Sequence, residues 1–194
     1  MMMKRKYRFF GNNVSFTGHW KKISAKQIEA EVPECFPGKE DFIKFYSAHN
    51  GGNFLDYSDF EPNPKFPLPK EFQDKDRWDV LGFDPISLPN EEGPSVSTYS
   101  FLTMETIKTY SPTIQNQRDK FYQESASESK DFFSTHIPIA TDSANSIYLI
   151  SVSTGEVKYL DFDDYFEKPN LAFTVASSFL DFCNRIRKSS MLGM

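Results

Sequence analysis

The chain has 194 residues, 39% of them hydrophobic and 20 of them Phe, with a formal net charge of −5 and two cysteines. That length suits one domain spanning 1–194, and so much bulky apolar surface offsets backbone ordering entropy and excludes wholesale disorder. No run of 18 or more apolar residues occurs, and the basic start Lys4-Arg5-Lys6-Tyr7-Arg8-Phe9-Phe10 has no apolar stretch or cleavage site behind it, so neither a membrane span nor a secretory leader is expected.

Ser24-Ala25-Lys26-Gln27 has the spacing of a capping box, and Ile28 and Val32 continue an apolar face until Pro33, which predicts a short first helix. After Pro37-Gly38, Phe42, Phe45, Tyr46 and His49 recur on one helical face. Asn50, Gly51 and Gly52 then supply the left-handed conformations that end a helix. Residues 60–94 hold seven of the twelve prolines; a proline removes a backbone donor and fixes φ, so this stretch is expected to be an ordered loop, without a central strand or long helix. Its Phe66, Phe72, Trp78, Leu81 and Phe83 are expected to pack it onto the domain.

Residues 95–102 alternate like a strand, 103–107 read as a capped helical turn, and 115–124 as a polar helix. Residues 137–140 predict a short strand that Pro138 confines to an edge or a strand start. The apolar runs 147–152 and 156–160 flank Ser153-Thr154-Gly155, a hairpin loop with Gly155 at its last position. Val175, Phe179, Phe182 and Ile186 form a stripe at helical spacing, predicting a closing helix against a sheet. Helices, then strands, then a helix give an α+β class with no internal repeat.

Taken in this order, the helix Phe42-Ile43-Lys44-Phe45-Tyr46-Ser47-Ala48-His49 running into Asn50-Gly51-Gly52, Phe101-Leu102 leading to Glu105 and Ile107, residues 137–149, Gly155-Glu156-Val157 and Ser178-Phe179-Leu180-Asp181-Phe182 resemble the SUKH superfamily over about 24–187. That group contains the fungal cell-wall regulators of the Smi/Knr type and many bacterial immunity proteins. Where its members carry a glycine in the turn before the hairpin, this chain has Asp142-Ser143-Ala144-Asn145. The resemblance implies an antiparallel sheet of about six strands with flanking helices. For bacterial members it also implies neutralisation of a toxin, often a nuclease or deaminase, by direct binding.

Charge distribution bears on the partner independently. Residues 1–28 and 185–194 hold ten basic residues and no acidic ones, leaving 27 acidic against 12 basic between 29 and 184, a net of −15. Such a body repels phosphate backbones and attracts cations, so a cationic toxin domain is the expected partner, with neither nucleic acid nor membrane; the plainer reading is acidity for solubility. Asp161, Asp163, Asp164 and Tyr165 form one candidate contact patch, and Asp56, Tyr57, Asp59 and Glu61 a second, because aromatic anchors amid charge are the usual composition of binding hot spots. Their plainer reading is solvated loop. The run from Asp161 to Glu167 lacks the glycine and spacing of a calcium loop, so no metal and no cofactor are expected.

His19, His49 and His136 lie in no recognised nucleophile motif, and His49 falls on an apolar helix face, where packing or capping outweighs acid–base work. Cys35 and Cys183 lack metal or redox spacing and are expected to be buried free thiols suited to a reducing cytosol. No catalytic residue is assigned, and the reading is a cytoplasmic binding protein of the immunity type. The alternatives are a cell-wall-regulator-like scaffold without a toxin partner, and a metal-assisted enzyme using Asp161, Asp163 and Asp164.

Overall fold

Ser24 opens helix α1 (Ala25–Glu31) with both halves of the capping box: its hydroxyl accepts from the Gln27 amide at 3.3 Å, and the Gln27 side-chain oxygen accepts from the Ser24 amide at 3.0 Å. Two orphan donors are thereby satisfied at the point where the spacing places them. The computed structural model describes residues 9–10, 14–17, 22–55, 58–75, 78–84, 135–144, 146–161 and 171–189. Expected elements at 95–102, 103–107 and 115–124 lie outside them.

Helix α2 (Lys39–His49) buries Phe42, Phe45 and Tyr46 completely, and half-buried His49 packs its ring against Phe16 and Phe45. Asn50, Gly51 and Gly52 end it at φ of 39°, 78° and 140°, with the Asn50 amide donating to Tyr46 O at 2.8 Å. The chain thus turns straight from the helix into the sheet.

The strands are β1 (Phe16–Thr17), β2 (Gly52–Phe54), β3 (Ser58–Phe60), β4 (Gly82–Phe83), β5 (His136–Thr141), β6 (Ile147–Ser151), β7 (Val157–Leu160), β8 (Phe173–Ala176) and β9 (Ile186–Lys188), with helix α3 (Phe179–Asn184) between the last two. Seven form one sheet in the order β1-β2-β4-β5-β6-β7-β8, every pair antiparallel, while β3 and β9 form a separate two-stranded sheet. Register puts Tyr148 opposite Tyr159 and Ile150 opposite Val157. Against that face pack α2 and α3, with Phe182 of α3 5.0 Å from the Tyr148 ring and Phe45 of α2 4.8 Å from Phe83. Strand β6 is buried on both faces. An antiparallel sheet with helices alongside is an α+β architecture.

Five expectations are corrected. Pro138 lies inside an interior strand, and the reason is local. The β4 ladder reaches only Ala140 and Thr141 of β5, and the β5–β6 register shifts between Pro138 and Ala140, so no ladder donor is demanded of the proline. The Pro-rich stretch supplies a sheet strand after all, because Gly82-Phe83 is a proline-free pair whose glycine lets β2 approach: a Cβ there would sit 2.5 Å from Gly52 O. Trp78 and Phe83 of that stretch are buried and Phe72 packs on the core, but Leu81 is exposed.

The stripe Val175, Phe179, Phe182, Ile186 is buried throughout yet spans β8, α3 and β9. Ser178 caps a helix of only six residues by accepting from the Asp181 amide, and the flanking β-branched residues pair as strands. Cys35 is exposed in the turn after α1, and only Cys183 is buried.

The β6–β7 hairpin forms as expected, with a loop one residue longer: Ser151 and Glu156 close it, while Val152 donates to Thr135 O instead. Gly155 stands at φ +74°, and a Cβ there would meet Pro37 O at 2.6 Å. The hairpin tip therefore docks on the turn between α1 and α2. Gly155→Ala is expected to lower stability by about 1–3 kcal/mol, from positive φ plus a backbone clash. An unchanged urea midpoint would show that the tip is not docked there.

Candidate functional site

The β5–β6 turn is organised by one carboxylate. Asp142 Oδ1 accepts from the amides of Ala144 and Ser146, both at 2.9 Å, and the side chain is 1% exposed. An aspartate bonding backbone two residues ahead favours a turn without glycine. Its other oxygen, Oδ2, accepts from the Tyr159 hydroxyl at 2.8 Å and lies 3.5 Å from Lys75 Nζ.

Lys75 approaches from the Pro-rich segment, just after a single 3₁₀ turn at Lys70–Phe72. Its ammonium donates to Tyr159 Oη at 2.5 Å and sits 4.4 Å from the Tyr159 ring centroid, 4.6 Å from Trp78 and 6.0 Å from Phe72. Phe173 of β8 packs against the Phe72, Trp78 and Tyr159 rings from behind. A cation over aromatic faces with a buried counter-charge is strongly held, because desolvation strengthens both attractions. Burial pushes the Tyr159 hydroxyl far above its ordinary range, so it stays protonated, donating to Asp142 while accepting from Lys75. Next to this cage, Tyr148 donates to Asp79 O at 2.9 Å, fixing the segment on the sheet.

A second tether binds the same segment further upstream. Asp181 of α3 accepts from Asn63 Nδ2 at 2.7 Å, from the Ser177 amide and hydroxyl at 2.8 Å each, and from Arg185 Nε at 2.7 Å. Burial alone would raise this carboxyl, but these hydrogen bonds prevail and hold it at about 2.

Of the residues expected to bind a partner, Glu61 is exposed and Asp161 is half-buried just beyond β7, where its charge reaches Tyr159. Asp59 is half-buried in β3, directly cross-strand from Arg187 of β9. Arg187 and Lys188 thus lie on the strand paired with the one that carries Asp59. Asp56, Tyr57, Asp163, Asp164 and Tyr165 lie outside the described residues. Asn50, Gly51, Gly52 and Gly155 hold the backbone roles read for them. Reasoning from sequence missed Lys75, Asp142 and Asp181; the polar turn around Asp142 was the one local signal.

A third polar group lies deep between α2, β4 and α3. Asp84 is buried, its Oδ2 has no hydrogen-bond partner among the described residues, and desolvation pushes its carboxyl up to about 8. Tyr46 is raised by its own burial and then by the neighbouring Asp84 and Cys183, and Cys183 is raised by burial. A thiol kept protonated is a poor nucleophile, which fits packing. Among the described residues no group of three or more His, Cys, Asp or Glu could hold a metal ion, and no helix is long and apolar enough to cross a membrane.

The chain is therefore an α+β protein in which a Pro-rich segment is pinned to the sheet by a lysine in an aromatic, carboxylate-floored cage. Comparison with family models, with curated proteins and with solved structures finds no match.

Two titrations follow. Asp84 binds its proton more tightly folded than unfolded, so its contribution is intact below the ordinary carboxyl range near 3.8 and is lost as pH rises towards 8. Asp84→Asn is expected to flatten that decline in urea unfolding between pH 5 and 8, and parallel curves for the two proteins would refute it. Asp181 has the opposite sign: its contribution is present above about 3.8 and lost as pH falls towards 2. Asp181→Asn is expected to remove that acid-side loss, read from the same unfolding series below pH 4.

Proposed function

We propose that this chain is a protein-binding module of the immunity type that neutralises a cationic toxin domain by occupying its substrate-facing surface, without catalysis of its own. The observation that carries this reading is the charge layout: a body of net −15 between 29 and 184, flanked by ends at 1–28 and 185–194 that hold ten basic residues and no acidic ones. Charge of that sign speeds encounter with a basic surface, while affinity comes from aromatic anchors at the contact. The resemblance of the ordered motifs to the SUKH superfamily supports the same reading, as does Glu61, which is exposed. A cytoplasmic setting belongs to this proposal.

Tagged protein is expected to retain one basic domain from lysate of the source cell, released by salt and inhibited stoichiometrically. Recovery of a wall-synthesis complex in its place would replace the immunity reading with the scaffold one. With the partner in hand, Glu61→Lys combined with Asp161→Lys is expected to slow association about tenfold at low salt and far less at high salt. Stopped-flow kinetics would check this, and an unchanged on-rate would move the docking face away from these residues.

A further inference from the structure

The pocket around Lys75 is built from distant parts of the chain. Phe72 and Trp78 come from the Pro-rich segment, Tyr159 from β7 and Asp142 from the β5–β6 turn. Its floor is a carboxylate with 1% exposure, and the ammonium that balances it belongs to a side chain with 23% exposure. A buried carboxylate without a counter-charge is costly, so this pocket demands a cation whatever molecule supplies it. Aromatic faces at 4.4 and 4.6 Å favour an alkylammonium over a small hydrated metal ion, because the rings attract a soft cation carrying its own apolar stem.

We propose that Phe72, Trp78, Tyr159 and Asp142 form an alkylammonium-binding site that Lys75 fills in cis and that a lysine side chain of another protein takes by exchange. The site itself stands on the geometry. That the incoming lysine belongs to the cationic partner rests on the function proposed above. Lys75 competes as a tethered ligand at an effective concentration in about the millimolar range, so an outside lysine enters only when the rest of an interface supports it. The cage thereby discriminates a docked basic protein from free amines.

The test uses the full chain carrying Trp20→Phe, which leaves Trp78 as the sole tryptophan, with and without Lys75→Ala. Titration with n-butylammonium chloride is expected to change Trp78 fluorescence saturably in Lys75→Ala and to raise its melting temperature. The Lys75 protein is expected to respond at least about tenfold more weakly, and n-butanol to produce neither effect. Absence of saturation in folded Lys75→Ala, or an equal response to n-butanol, overturns the proposal, because the pocket is then an apolar gap without cation selectivity.

Should Lys75→Ala not fold, Lys75→Met keeps the stem and removes the charge. Its loss of stability is expected to shrink when combined with Asp142→Asn, and additive losses would overturn the proposal equally. A cage that binds butylammonium in a chain that retains no cationic partner would leave the site standing and remove the immunity reading. A toxin-binding chain whose Lys75→Ala form ignores the amine would do the reverse.

Discussion

The burial of the Asp142 carboxylate is the constraint around which the molecule is arranged. One oxygen closes the β5–β6 turn through two backbone amides, and the other receives Tyr159 and faces Lys75. Two of its donors are amides of its own turn, and the other two groups, Tyr159 and Lys75, come from two distant stretches of chain. Because an uncompensated charge in that position is costly, the turn, strand β7 and the Pro-rich segment stabilise one another. Other ties hold the same segment, among them the Asn63 to Asp181 and Tyr148 to Asp79 bonds and the backbone bonds of Leu81 to Thr141 and Asp84 to Ile139.

Around that polar pivot the core is aromatic to an unusual degree. Rings form a connected path from Phe16 through Phe45, Phe179, Phe83, Phe182, Tyr148 and Tyr159 to Phe173, each link between 5.0 and 5.9 Å and tilted or edge-on. These geometries suit the ring quadrupole and add to area burial. A core of rigid rings explains why so many Phe are present, and also why short strands suffice. A two-residue strand such as β4 contributes few ladder bonds, but its Phe83 is held between α2 and α3.

What the chain discloses locally could be read without coordinates. The capping box at Ser24, the apolar face of α2, the left-handed Asn50-Gly51-Gly52 exit and the β6–β7 hairpin each depend on residues within a few positions of one another. Contacts between distant segments could not. Nothing near Lys75 signals that its partners are Asp142 and Tyr159, and helical spacing from Val175 to Ile186 could not reveal that Ser178 starts the helix late and that β3 claims the last residue as a strand. Pro138 misled for the same reason: a proline's fit in a strand depends on where the neighbouring ladder stops.

The β3–β9 pair carries an entropic cost. Ser58 lies opposite Lys188 and Phe60 opposite Ile186, so this two-stranded sheet closes most of the chain into one loop. Loop-closure entropy must be met before the few hydrogen bonds of three-residue strands can offset it. The closure is offset chiefly by the burial of Phe60 and Ile186 in the core, so the ribbon is favoured once the elements they pack against are in place. Because β3 leads directly into the segment bearing Lys75, closing that loop also fixes where the segment starts its path across the sheet.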